Sequence, residues 1–173
     1  MYTYVGDIVV SVNPFKNTGC YGKAIRTKFK GGVRRTLPPH IYALVEHAYK
    51  EMNGSQISQS ILISGESGAG KTEAMKICLT FICEVSAQKG QRVSDEVAVR
   101  LMQTNPVMEA LGNAKTIRNN NSSRFGKHFD VQFSQNGVIL GAFTSTYLLE
   151  KPRITQHMTV RWLGLGLVLG LGL

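Results

Sequence analysis

Ser60-Ile61-Leu62-Ile63-Ser64-Gly65-Glu66-Ser67-Gly68-Ala69-Gly70-Lys71-Thr72-Glu73 decides the reading of this chain. Residues Gly65 to Thr72 match the phosphate-loop pattern GxxxxGK[ST]. The apolar run before them suits a short buried strand, and Glu73 to Cys83 behind them suits a helix. Strand, glycine loop and helix are the context in which that motif works. Gly65, Gly68 and Gly70 can adopt positive φ and let main-chain amides approach an anion without an intervening Cβ. Together with the positive end of the following helix, those amides form a cradle for phosphate oxygens. Lys71 is expected to reach the β- and γ-phosphates of a nucleoside triphosphate, and the Thr72 hydroxyl to ligate Mg²⁺.

The rest of the composition narrows the class. The chain has 173 residues, 43% of them hydrophobic, enough to bury the core of one domain. Its net charge of +9 raises the question of an anionic partner. Much of the excess lies in Lys23, Arg26, Lys28, Lys30, Arg34 and Arg35. With Phe29 the only aromatic among them, base stacking has little support, and a solvated surface loop is preferred to a nucleic-acid site. Cys20, Cys78 and Cys83 lack metal-ligand spacing, and Cys78 and Cys83 read as core filler in a reducing compartment. His40, His47, His128 and His157 are scattered. No signal peptide or spanning helix is expected. From Leu163 to Leu173 only Leu, Gly and Val occur, a composition poor for helix and strand alike. This tail reads as a fragment end or appended non-native sequence, with a membrane anchor the lesser alternative.

Along the chain, Tyr2 to Val12 predicts a strand ended by Asn13-Pro14. Pro38-Pro39 opens a helix with Ile41, Leu44, Val45, Ala48 and Met52 at helical spacing, closed by Asn53-Gly54. Ser86 to Arg92 is an exposed connection. Ser94-Asp95-Glu96 caps a helix carrying Val97, Leu101 and Met102, and Asn105-Pro106 restarts a turn of helix through Leu111. Gly112 to Lys127 is a polar loop too long to be an idle connector. His128 to Ser134 and Val138 to Glu150 flank Asn136-Gly137 and predict an antiparallel hairpin.

Asn119-Asn120-Asn121-Ser122-Ser123-Arg124 carries amides and hydroxyls of the kind a switch loop uses to hold Mg²⁺ and a γ-phosphate; in isolation such a stretch is also an ordinary turn. Taken with Gly65 to Glu73, Asn13-Pro14-Phe15-Lys16, Asn105 to Thr116 and Ser145 to Lys151, it resembles the myosin motor head. The resemblance covers Tyr2 to His157 in the family's order. In the hairpin and in Asn119 to Lys127 it leans towards class I members. It implies an α/β fold, a P-loop NTPase-type mixed sheet flanked by helices, incomplete here. Residues 1–157 would be a partial motor domain and 158–173 a divergent tail.

The same resemblance implies roles. Gly65, Glu66, Ser67, Gly68, Ala69, Gly70, Lys71 and Thr72 would hold ATP, with Lys71 on the phosphates. Asn119 and Ser122 would contact phosphate, while Ser123 would join Thr72 on Mg²⁺ near the attacking water. Asn13, Pro14 and Tyr21 would border the adenine. Arg124 would close the site through an ion pair with a glutamate of switch II. The family's Asp-Ile-x-Gly-Phe-Glu string for that switch does not occur in the sequence. The expectation is therefore ATP binding without full hydrolysis, in a piece of a cytoplasmic, actin-associated motor whose actin interface lies mostly elsewhere. A nucleotide-binding module without motor activity, and a nonfunctional truncation, are the competing readings.

Overall fold

The computed structural model describes residues 2–87 and 93–155. The side chains of 93–99, 101 and 102 also lie outside the description, as do the expected cap at Ser94, the packing of Val97, Leu101 and Met102, most of the 86–92 connection, and the Leu/Gly tail.

The architecture mixes helices with small sheets. Strand β1 (Tyr2–Val5) pairs antiparallel with β2 (Ile8–Ser11). The expected single strand is thus a hairpin, because Gly6, at φ 58°, turns the chain between Val5 and Ile8. Helix α1 (Lys23–Phe29) replaces the expected basic loop. Ile25 and Phe29 lie one turn apart, and Phe29 is buried, so the bases decorate a helix pinned by an apolar stripe. Several bases are used in packing: Arg26 pairs with Glu84, and Lys30 Nζ donates to the Glu84 carbonyl at 2.9 Å.

Helix α2 (Ile41–Ser55) begins after His40, whose Nδ1 accepts from the Tyr42 amide at 3.1 Å. It runs through Asn53-Gly54 and ends at Gln56, which adopts φ 56°. Helix α3 (Lys71–Ser86) starts inside the glycine loop. Its Cys78 and Phe81 meet Phe29, Ile41, Tyr42, Ala43 and Val45 in one core, where the Tyr42 and Phe81 rings stack with centroids 4.4 Å apart. Helix α4 (Val93–Gly112) continues through Pro106 instead of restarting there. The proline removes one amide donor, but the helix packs on α3 on one side and on the later hairpin on another, and that packing overrides the break.

Beyond α4, β3 (Asn113–Ala114) pairs with β4 (Ser122–Ser123), turning the expected polar loop into a short arm. The predicted hairpin forms as β5 (Gly126–Phe133) and β6 (Ile139–Tyr147), with Gly137 at φ 76° in its turn. Helix α5 (Lys151–Thr155) follows.

The expected mixed sheet is not what these strands build. Among the described residues they form three separate two-stranded antiparallel sheets. Ser60 to Ser64 is not assigned as strand at all. Ile61 and Ile63 still pack on the core, while Leu62 between them is 91% exposed. The run alternates as a strand does, yet pairs with no neighbouring strand among the described residues, and a strand is defined by its ladder.

Candidate nucleotide site

The loop that the motif marks sits where the extended segment 61–64 meets α3. Gly68 at φ 83° and Gly70 at φ 92° hold backbone that side-chain-bearing residues avoid, while Gly65, at φ 159°, is near extended. Gly70 is the residue preceding the first turn of α3, so the unpaired amides of that turn open onto the loop. Lys71 Nζ lies over the same loop, donating to the carbonyls of Gly65 at 2.6 Å and Glu66 at 2.8 Å. Thr72 is half-buried in the first turn and Glu73 beside it is exposed. Glu73 pairs with Lys76 at 2.9 Å instead of turning to the loop.

The β3–β4 arm lies directly against this loop. Ser67 Oγ is 2.9 Å from Ser122 Oγ and 3.2 Å from Thr116 Oγ1. Glu66 forms an ion pair with Arg118 at the exposed rim. A Cβ on Gly68 would stand 3.5 Å from the Arg118 carbonyl and 3.6 Å from the Asn119 Cβ. The Asn-rich tip folds on itself: the Asn119 amide donates to Thr116 Oγ1, and Asn119 Oδ1 accepts from the Asn121 amide. Asn119 thus shapes the arm's turn, while Ser122 is the residue that touches the loop. Ser123 is half-buried and pairs with Asn113 in the ladder.

From the other side, Asn13 Nδ2 donates to the Gly68 carbonyl at 2.9 Å, and its Oδ1 accepts from Phe15 N at 3.0 Å. The Asn13-Pro14 turn is therefore hooked to the glycine loop by one side-chain amide. Tyr21 is held differently. Its hydroxyl meets that of Tyr2 at 2.7 Å, its carbonyl accepts from Tyr42 Oη at 3.1 Å, and its ring faces Tyr42 and His40. Those contacts seat Tyr21 in the aromatic cluster, and burial pushes its hydroxyl above the ordinary range.

Arg124 has a partner that the sequence reading did not identify. Its Nε donates to Glu150 Oε2 at 2.8 Å, and Arg153 Nε donates to the other carboxylate oxygen at 2.8 Å. The two guanidinium groups hold the Glu150 carboxyl below its ordinary range. Glu150, Thr116 and Arg118 are the site residues that sequence patterning missed. Thr116 and Glu150 were inside the quoted strings, but nothing in their spacing signalled a partner.

As chemistry, the loop offers the amides at the start of α3, the Lys71 ammonium and the hydroxyls of Ser67, Thr116 and Ser122, a donor set that fits a phosphate chain. Thr72 and Ser123 would supply hydroxyl oxygens to a hard cation such as Mg²⁺, which takes its remaining ligands from phosphate and water.

Comparison of the sequence with known proteins points to one family. The model of the myosin head (motor domain) family matches residues 1–161. This chain belongs to the myosin head family. It is 47% identical over 158 residues to "Myosin-1" of Sclerotinia sclerotiorum, covering 91% of this chain and 13% of that protein. It is 49% identical over 158 residues to "Unconventional myosin-Ia" of Gallus gallus, covering 91% of this chain and 15% of that one. With "Myosin IE heavy chain" of Dictyostelium discoideum it shares 47% over 154 residues, 89% of this chain and 15% of the relative. The chain is a portion of a motor head similar to class I-like unconventional myosins, and spans only a small part of their length. Among the described residues, no helix is long and apolar enough to cross a membrane.

Proposed function

We propose that this chain binds ATP with Mg²⁺ and is the nucleotide-holding part of an actin-based motor head. What carries the reading is the convergence of distant segments on one loop: Asn13 on Gly68 and Ser122 on Ser67, each at 2.9 Å. In this reading Gly65 to Thr72 wraps the phosphates and Lys71 exchanges its two carbonyl acceptors for β- and γ-phosphate oxygens. Thr72 and Ser123 ligate Mg²⁺, and Asn119 and Ser122 meet the terminal phosphate. Asn13, Pro14 and Tyr21 line the base. Arg124 contributes positive charge where phosphoryl transfer would develop negative charge.

The membership in the myosin family supports ATP as the nucleotide, actin filaments as the partner of the complete motor, and a cytoplasmic, cytoskeletal setting. For this chain alone the proposal is nucleotide binding. Titration of the purified chain with a fluorescent ATP analogue plus Mg²⁺ tests it. Saturable binding is expected, weakened at least about tenfold by Lys71→Ala, which removes a charge-assisted contact. No binding by the unchanged chain, or equal binding by the variant, overturns it.

A further inference from the structure

The connections around Arg124 form one continuous polar path into the phosphate loop. Glu150 Oε2 accepts from both Arg124 Nε, at 2.8 Å, and Arg124 Nη2. The remaining nitrogen, Nη1, donates to Ser122 Oγ at 3.3 Å, and Ser122 Oγ lies 2.9 Å from Ser67 Oγ in the loop. The backbone repeats the link, because the Glu150 amide donates to the Arg124 carbonyl at 2.9 Å. Arg124 N in turn donates to the Gly112 carbonyl at the end of α4, also at 2.9 Å. An arginine side chain has many rotamers, and a guanidinium whose Nε–Nη2 edge is held by one carboxylate oxygen keeps few of them. What Arg124 presents to Ser122 is therefore set by where Glu150 stands.

The position of Glu150 is itself over-determined. Arg153, from the first turns of α5, holds its other oxygen. Just ahead of it Leu148 adopts φ 54°, backbone that a branched residue keeps only when its surroundings require it. The side chain of Leu148 is 85% exposed, so its own packing does not supply that requirement. The turn at Leu148 swings the chain leaving β6 so that Glu150 meets Arg124.

We propose that Glu150 is a positioning residue for the nucleotide site: it fixes Arg124, which fixes Ser122, which braces the phosphate loop at Ser67. The role rests on the nucleotide-binding reading given above. Glu150 touches no ligand in it and acts only through Arg124 and Ser122.

The test is a double-mutant cycle on the full 173-residue chain, read by affinity for a fluorescent ATP analogue with Mg²⁺. Glu150→Gln keeps size and loses the charge that grips the guanidinium; it is expected to weaken binding about fivefold, in the range of coupled polar contacts. In a Ser122→Ala background the same change is expected to alter affinity less than about twofold, because the path is already cut. Arg124→Lys, which keeps the charge and loses the fork, should match Glu150→Gln and serves if that variant misfolds. Hydrogen exchange of amides 115–124 without nucleotide should quicken in Glu150→Gln. A Glu150→Gln chain that binds like the unchanged one, or losses that add in the Ser122→Ala background, overturns the inference while Lys71→Ala still confirms the site. No binding by the unchanged chain overturns the function itself and this inference with it.

Discussion

Acid should unfold this chain through His40 first. The ring is buried at 6% exposure, with Tyr2, Phe29 and Tyr42 rings between 4.6 and 4.8 Å from it and Tyr21 at 5.8 Å. Nδ1 accepts from the Tyr42 amide at 3.1 Å, which puts the ring proton on Nε2, facing the Cys20 carbonyl at 3.2 Å. Only the neutral ring satisfies both contacts. A proton on Nδ1 would oppose the Tyr42 N–H and place positive charge at the N-terminus of α2, where the helix dipole disfavours it. Burial is the largest cause holding the His40 pKa down, from 6.5 to about 4.

In the unfolded chain His40 protonates near its ordinary 6.5, so between 6.5 and about 4 the unfolded state binds more protons. Stability from the neutral ring is complete above 6.5 and is lost as pH falls from there towards 4. At about 1.4 kcal/mol per pH unit, the full loss is about 3 kcal/mol, a large share of a small domain's margin. Urea unfolding between pH 7.5 and 4 would measure it against His40→Asn, a variant that keeps an N-cap acceptor and does not titrate. Carboxylates titrate alike in both chains, so the gap between the two curves isolates the ring. The gap should move by about 3 kcal/mol in favour of the variant on going to pH 4. Parallel curves, or an NMR titration placing His40 near 6.5, would refute the reasoning. Because Tyr21 shares this cluster, loss of His40 packing should also release the residue proposed to border the base.

Two further outcomes follow from the same contacts. Asn13→Ala removes the amide that holds the Gly68 carbonyl and should weaken nucleotide binding by about fivefold, near the worth of one hydrogen bond, as read by the same titration; unchanged affinity would mean that the hook is idle. A thiol-reactive dye should label Cys20 quickly and Cys78 and Cys83 only after unfolding, since both are buried and burial pushes the Cys78 thiol up to about 12; equal rates for all three in the native chain would contradict that core.

What was legible in the sequence is what local rules specify. The glycine loop and the hairpin around Gly137 each follow from backbone conformations that few residues permit, and the helix expected from Glu73 is present, although it starts two residues earlier, at Lys71 inside the loop. The helical stripe of α2 follows from periodicity, although its end moved from Gly54 to Gln56. The failures involve partners. Ser60 to Ser64 has a strand's composition and alternation, but a ladder needs a second chain segment, which composition does not encode. Lys23 to Phe29 reads as a loop until Phe29 is known to be buried. Pro106 breaks helices by a local rule that the packing of α4 outweighs. For Arg124, the family's pattern directed attention to a glutamate missing from the sequence, while the carboxylate it meets lies 26 residues on, at no period that a pattern would flag.

The contacts at the site differ in kind from those beneath it, and the difference bears on how a ligand would be received. Below, α3 is fixed by Phe81 and Cys78 against α2, burial that stabilises by several kcal/mol and gives no room to shift. Above, the segments that meet the loop are tied by single polar links: Asn13 to Gly68, Ser122 and Thr116 to Ser67, Arg118 to Glu66. Each such hydrogen bond is worth about 1 kcal/mol net, and an exposed ion pair less. A phosphate chain offers charge-assisted bonds of about twice that strength to the same donors. Lys71 can therefore leave the Gly65 and Glu66 carbonyls, and Ser67 its hydroxyl partners, without disturbing the core. A base that does not move and a rim held by exchangeable contacts would let the Asn13 turn and the 113–124 arm adjust around the phosphates while α3 stays in register.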